Sequence, residues 1–168
     1  GGIFFFEAPT GIGKTISTIY PAIKSFAKTD NQKIFYLTAN TSGRQPCYDA
    51  LTACYGKGFV GRDSLIVAKE KICFSPGKNC NPDDCPFARD YYGKLRKIIE
   101  EESQCNHRYN IDNVTEIARN NEICPFELQL DLSLLSDIII CDYNYFFDPL
   151  VKLERYFSDE VDSSKYFL

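Results

Sequence analysis

The sequence predicts an α/β fold, in which helices cover a parallel sheet. Two observations lead to this prediction. Apolar runs of strand length, such as residues 3–6 and 137–141, alternate along the chain with segments of helical length. The first run leads directly into a glycine-containing turn and then a helix, which is the order expected at a parallel strand. The 168 residues, 44% of them hydrophobic, suffice for one buried core.

The later predicted elements continue the same alternation. A second strand is predicted at residues 33–39, followed by a helix with Asn40 and Thr41 as candidate caps and Pro46 in or near its first turn. "SLIVAKEKIC", residues 64–73, supplies the third strand. The remaining predictions are helices at residues 86–102, 114–119 and 125–135 and strands at residues 137–141 and within 163–168.

The alternation is interrupted by a cysteine-bearing segment at residues 70–124. We therefore predict a first part of the α/β domain at residues 1–69, a mainly helical insertion at 70–124, and a return to the α/β domain at 125–168. The chain starts without methionine and stops on an apolar stretch, so we expect a piece of a longer protein.

The turn after the first predicted strand reads A-x-x-G-x-G-K-T and departs from the phosphate-binding pattern G-x-x-x-x-G-K-[ST] only at Ala8. Gly11 and Gly13 allow successive N–H groups to turn towards one anion. Lys14 can reach the β- and γ-phosphates, and the Thr15 hydroxyl can ligate Mg²⁺. We predict that ATP and Mg²⁺ bind through Thr10, Gly11, Ile12, Gly13, Lys14 and Thr15.

Charge and hydropathy restrict the class of protein. The net charge of −4 argues against a general attraction to nucleic acid, although residues 65–99 hold 7 basic and 4 acidic side chains. No apolar run approaches the roughly 18 residues of a membrane span, and no signal peptide opens the chain. We expect a monomer in the cytoplasm with no membrane partner and with reduced cysteines.

Three of the 8 cysteines, Cys73, Cys80 and Cys85, lie within thirteen residues. Cys124 follows after a spacer of 38 residues. Four thiolates could hold Zn²⁺ or a [4Fe–4S] cluster, but zinc sites usually come as two close-spaced pairs, which this set lacks. Cys105, in a polar stretch, is an alternative to Cys124 as a ligand. The remaining cysteines lie in ordinary helix or strand contexts and are expected to be buried free thiols: Cys47, Cys54 and Cys141.

Four motifs follow one another along the chain: "EAPTGIGKT", "YLTANTSGRQ", a cysteine segment ending in "CPFEL", and "DIIICDYNYFFDP". This combination resembles the XPD/DinG family of superfamily 2 DNA helicases over nearly the whole chain. The resemblance implies an incomplete P-loop RecA-like motor domain with a mainly helical Fe–S insertion. It also implies that the intact protein is an ATP hydrolase and a 5′→3′ helicase acting on single-stranded DNA, with a role such as DNA repair.

The resemblance further implies the metal ligands. In that family, four cysteines of the insertion bind a [4Fe–4S] cluster, and the last one stands in a Cys-Pro-aromatic context. "CPF" at residues 124–126 matches this context. The ligands implied are Cys73, Cys80, Cys85 and Cys124, with Cys105 as a bystander.

The insertion also carries candidate contacts to DNA, since in the family it flanks the path of the single strand. A basic residue shortly before the first cysteine recurs there, which Lys69 matches. We predict phosphate contacts from Lys69, Lys71 and Arg89. Further candidates are Lys94, Arg96 and Lys97 for phosphates and Phe87, Tyr91 and Tyr92 for base stacking, although these aromatics can equally pack the insertion.

An ATPase also needs an Asp for Mg²⁺ and a Glu for water after an apolar strand. Asp142 follows such a strand, but Tyr143 stands where Glu is required. Glu160 has no apolar strand before it. By the resemblance, "YNYFFDP" precedes a D-E-A-H box, so we expect no catalytic residue in this fragment and no useful ATP turnover by it alone. Robust turnover would point to Asp142 or Glu160 instead.

Two other functions remain open at this stage. One is a different P-loop ATPase with a structural zinc insertion, which metal analysis distinguishes because zinc proteins are colourless and Fe–S proteins are brown. The other is a redox sensor with reactive thiols, which leaves "GIGKT" unexplained.

Overall fold

The computed structural model describes residues 2–30, 32–105, 108–157 and 165–168. The chain divides into two compact units, residues 1–60 with 140–168 and residues 61–139. The strands are β1 (Lys33–Thr38), β2 (Asp63–Leu65), β3 (Arg108–Tyr109), β4 (Ile138–Asp142) and β5 (Tyr166–Phe167). The helices are α1 (Lys14–Ser25), α2 (Arg44–Tyr55), α3 (Lys69–Ile72), α4 (Tyr91–Ser103), α5 (Ile111–Asn120), α6 (Pro125–Leu134) and α7 (Asn144–Phe147).

The five described strands form one sheet in the order β3-β2-β4-β1-β5. β1 runs parallel to β5, with Lys33 opposite Tyr166, and β2 runs parallel to β3, with Asp63 opposite Arg108. Helices follow the strands along the chain, so the predicted α/β class with a parallel sheet is confirmed. Within the described ranges, no helix has both the length and the apolar character needed to cross a membrane.

In the first unit, β1 and α2 form where the sequence predicted them. The Asn40 side chain accepts a hydrogen bond from the Gly43 N–H at 3.0 Å, which caps a short 3₁₀ turn before α2. Phe35 on β1 is buried and packs edge-on against the rings of Phe146 and Tyr156. This aromatic cluster anchors β1 in the core of the unit.

The predicted strand at residues 3–6 is wrong. These residues carry no strand structure, and their side chains are 76–94% exposed. An apolar run becomes a strand only beside a strand with unpaired backbone groups. β4 and β5 flank β1 in the sheet, with β5 paired to Lys33 and Ile34, and no described strand pairs with residues 3–6.

In the second unit, two predicted elements differ from the observed ones. The helix predicted at residues 86–102 divides into a 3₁₀ turn at Pro86–Ala88 and α4, because Asp90 has a left-handed backbone (φ 49°) that the interior of a helix does not tolerate. The third predicted strand is shortened to β2, since the chain turns into α3 after residue 68.

Arg62 donates hydrogen bonds to backbone carbonyl groups at the C-terminal ends of two helices, α4 and α6, of the second unit. Its guanidinium donates to the carbonyl oxygens of Ser103 (2.7 Å) and Cys105 (2.9 Å), just at and beyond the end of α4. It also donates to the Leu135 carbonyl (3.3 Å), beyond the end of α6. A cation at helix C-termini satisfies carbonyls that have no partner within the helix.

Candidate functional site

The predicted phosphate-binding loop has the backbone that the motif requires. Gly11 and Gly13 have φ angles of 84° and 83°, a left-handed region that residues with a Cβ adopt only under strain. The first N–H to bond within α1 is that of Ser17, to the Gly13 carbonyl at 3.0 Å. The N–H groups of the preceding residues therefore belong to the open first turn of a twelve-residue helix.

Lys14 folds back over this loop. Its ammonium donates to the carbonyl oxygens of Ala8 and Pro9, both at 2.7 Å, and stays exposed. Next to it, Thr15 is half-buried and its side chain is hydrogen-bonded to the phenol of Tyr36 on β1. Burial raises the pKa of Tyr36, and the bond to Thr15 opposes part of that rise.

Asp142, at the end of β4, is held in an ion pair. Its Oδ1 accepts from Nη2 of Arg44 at 2.7 Å and from the Thr38 hydroxyl at 3.3 Å. The Arg44 side chain is 5% exposed and that of Asp142 32%. The pair links the start of α2 to the ends of β1 and β4, where the Tyr143 N–H also donates to the Thr38 carbonyl at 3.0 Å. Asp142 is therefore engaged by protein groups.

Three of the four predicted metal ligands interact electrostatically with Lys69 at the start of α3. A hydrogen bond between its side chain and Cys80 raises the pKa of Lys69, and the thiols of Cys73 and Cys124 add to this electrostatic effect. Lys69 is therefore near three thiols, of which that of Cys124 comes from a distant part of the chain.

Cys124 is the N-cap residue of α6. Burial raises the pKa of its thiol, while the backbone N–H groups of Glu127 and Phe126 act in the opposite direction by hydrogen bonding to it. The Cys73 sulfur likewise accepts a hydrogen bond from a backbone N–H group, that of Ser75, at 3.4 Å. Backbone N–H groups aimed at sulfur stabilise a thiolate, which is the form that binds metal.

The remaining cysteines occupy different surroundings. Cys85 is buried beside a 3₁₀ turn of the same unit, and no described contact joins it to the other three thiols. Cys105 donates weakly to the Glu101 carbonyl at 3.5 Å, at the end of α4. Burial raises the pKa of Cys141 to about 12, in keeping with an inert thiol. As predicted, Cys47, Cys54 and Cys141 are buried.

Within the described ranges, no three His, Cys, Asp or Glu side chains lie close enough to hold a single metal ion.

The candidate DNA contacts lie on the surface of the second unit. Lys71 and Arg89 are exposed, and the Arg89 Nε donates to the Pro82 carbonyl at 2.9 Å. Tyr91 is buried and its hydroxyl donates to Asp131 at 2.6 Å, so it packs the unit, whereas Tyr92 is 79% exposed.

Comparison with known proteins decides the family. The DEAD_2 family profile matches residues 14–161, which is most of the chain. This chain belongs to the DEAD_2 family. The DEAD_2 chain is 23% identical, over 90% of its length, to "General transcription and DNA repair factor IIH helicase subunit XPD" of Schizosaccharomyces pombe, and it spans about a quarter (24%) of that relative.

A solved structure described as "Truncated XPD" has the same fold. It superposes on the DEAD_2 chain with a TM-score of 0.57 and 22% sequence identity, over 95% of this chain and 44% of that one. At this identity the likeness concerns the fold alone. The family match and the curated relative confirm the predicted membership of an XPD/DinG-type helicase family, and the solved structure agrees with it in fold.

Sequence reasoning missed Arg44 and Arg119. Arg44 stands 98 positions from its partner Asp142, and Arg119 on α5 lies over the Phe74 ring at 5.0 Å. The sequence gives a weak signal for the first pair, because Asp142 ends one parallel strand and Arg44 begins the helix after another, and parallel strands end at the same edge of a sheet. Glu160, the other carboxylate considered, lies outside the described residues of the DEAD_2 chain.

Replacing Arg44 with methionine is expected to destabilise the first unit by roughly 3 kcal/mol, since it leaves the Asp142 carboxylate without its cation. The measurement is urea unfolding followed by circular dichroism. Lys97→Met is the control, because Lys97 and its partner Glu101 are exposed and such pairs contribute about 1 kcal/mol or less. Equal effects of the two substitutions would contradict the buried role of Arg44.

Proposed function

We propose that this chain is part of an ATP-dependent 5′→3′ DNA helicase. In this proposal ATP–Mg²⁺ binds at the loop from Thr10 to Thr15, and single-stranded DNA passes beside a [4Fe–4S] cluster segment. The observation that carries the proposal is the match of one helicase-type family to residues 14–161, a range that contains both Lys14 with its helix and all four candidate cysteines.

The geometry of the loop supports the nucleotide part of the proposal. An added Cβ at Gly11 would meet no heavy atom within 4 Å, so the loop surface there is open to a ligand. The loop N–H groups, the α1 dipole and the Lys14 ammonium together favour a polyphosphate anion. Thr15 is adjacent and can offer its oxygen to Mg²⁺.

The arrangement of thiols supports the cluster. Cys73, Cys80 and Cys124 each interact electrostatically with Lys69, and Cys85 lies in the same loop as Cys80. In type and number these donors match the four thiolates that an iron–sulfur cluster takes. When bound, the cluster supplies metal–thiolate bonds that stabilise the fold of the segment.

Iron and acid-labile sulfide content of protein purified without air tests the metal assignment. We expect a brown protein with about four irons and four sulfides per chain. A colourless protein that contains zinc would instead support the alternative, a P-loop ATPase with a structural zinc insertion.

Lys69→Ala is expected to weaken binding of single-stranded DNA and to lower the slope of log affinity against log salt concentration by about one. The measurement is fluorescence anisotropy with a labelled oligonucleotide at several salt concentrations. Lys71→Ala and Arg89→Ala are predicted to act alike, and Lys28→Ala, exposed in the first unit, is the control. Iron content is measured for each variant, since Lys69 also contacts Cys80. An unchanged affinity and slope in cluster-replete Lys69→Ala would remove this residue from the DNA contacts.

A further inference from the structure

The side chain of Gln129 forms a two-point clamp in the second unit. Its Oε1 accepts from the Val67 N–H at 3.0 Å, and its Nε2 donates to the Val67 carbonyl at 2.8 Å. Gln129 is 2% exposed and Val67 is fully buried. One side chain thus satisfies both backbone groups of a buried residue, as a neighbouring strand would.

The clamp also accounts for the early end of β2. The segment after Leu65 has its Val67 backbone bonded to a helix side chain, so the chain is able to leave the strand and turn into α3. An amide side chain has both a donor and an acceptor in the geometry needed for this exchange, whereas a carboxyl group has both only when it is protonated. Methionine at this position would leave two buried backbone groups without partners.

Each residue of the clamp is close in sequence to a different candidate ligand. Val67 lies two residues before Lys69 and six before Cys73. Gln129 lies on α6, five residues after its N-cap residue Cys124. The short helix α3, which joins Val67 to Cys73, packs against α6. The Gln129–Val67 pair therefore links the segment that leads to Cys73 to the helix that begins after Cys124.

We propose that Gln129 is a positioning residue for the cysteine site and holds the Cys73 segment in register with the helix that carries Cys124. Gln129 does not contact a cysteine in this role. It acts through the backbone of Val67, as outer-shell hydrogen bonds orient the ligands of other metal sites. This inference rests on the proposed cluster.

The test compares Gln129→Met with Gln129→Glu, whose carboxylate, when ionised, keeps an acceptor for the Val67 N–H but has no donor for its carbonyl. Gln104→Met is the matched control, because Gln104 is exposed in the same unit. Iron release from anaerobically purified protein to a chelator is followed below the unfolding transition, with circular dichroism recorded in parallel. The electron paramagnetic resonance spectrum of the reduced cluster is recorded for each variant.

We expect Gln129→Met to release iron roughly tenfold faster than the unsubstituted protein, with a changed resonance spectrum and unchanged secondary structure. Gln129→Glu should release iron at a rate between those of Gln129→Met and the unsubstituted protein. Gln104→Met should release iron at the rate of the unsubstituted protein. Iron release at the original rate from Gln129→Met overturns the inference and leaves the proposed cluster standing. Faster release that merely follows unfolding, with an unchanged spectrum, also overturns it. An unsubstituted protein without iron and sulfide overturns the proposed cluster, and this inference with it.

Discussion

The Lys14→Ala protein is expected to bind ATP about a hundredfold more weakly, or not measurably. The Lys14 ammonium belongs to the first residue of α1 and donates to two loop carbonyl oxygens at 2.7 Å, so its positive charge lies beside the loop and the open first turn of the helix. A hydrogen bond to a charged group contributes roughly 1.5–3 kcal/mol, and about 1.4 kcal/mol corresponds to a tenfold change in affinity. The upper part of that range gives the expected hundredfold loss.

Isothermal titration with ATP and Mg²⁺ measures this loss. Lys24→Ala is the matched control, because Lys24 lies on the same helix and is exposed, with its ammonium over the Tyr20 ring at 5.6 Å. It should bind ATP as the unsubstituted protein does. If Lys14→Ala keeps the original affinity, the loop from Thr10 to Thr15 is not the nucleotide site.

The second large effect is expected for Cys124→Ser, which should abolish the cluster. Serine keeps the size of the side chain but does not provide the thiolate that iron requires. Cys124 also receives hydrogen bonds from backbone N–H groups at the start of α6, which oppose part of the rise that burial causes in the pKa of its thiol. We expect iron and sulfide to fall to background and the second unit to lose stability, because metal binding is coupled to folding.

Cys105→Ser is the control that decides between the two candidates for the fourth ligand. The Cys105 thiol donates to the Glu101 carbonyl in the C-terminal turn of α4, so this variant should retain its iron. Loss of iron from Cys105→Ser with retention in Cys124→Ser would reverse the assignment. Loss from neither would exclude both from the ligand set.

Much of the fold followed from local sequence patterns. β1, α5, α6 and β4 formed within a few residues of their predicted bounds, because burial periodicity and capping residues such as Asn40 act over short distances. The glycine turn of the candidate phosphate-binding loop was also predictable from local sequence, since glycine itself tolerates a left-handed φ. The failures came where a partner was needed. Residues 3–6 are apolar enough for a strand, but no strand of the described sheet pairs with them.

The sequence by itself determined the α/β class, the glycine turn of the candidate phosphate-binding loop and the set of candidate thiols, because each depends on residue types at short spacing. Only the tertiary structure decided which distant side chains meet. Arg44 pairs with Asp142 across 98 positions, and Gln129 clamps Val67 across 62. Nothing local marks such pairs, since a buried polar group can be satisfied by any donor or acceptor that the fold brings within hydrogen-bonding distance.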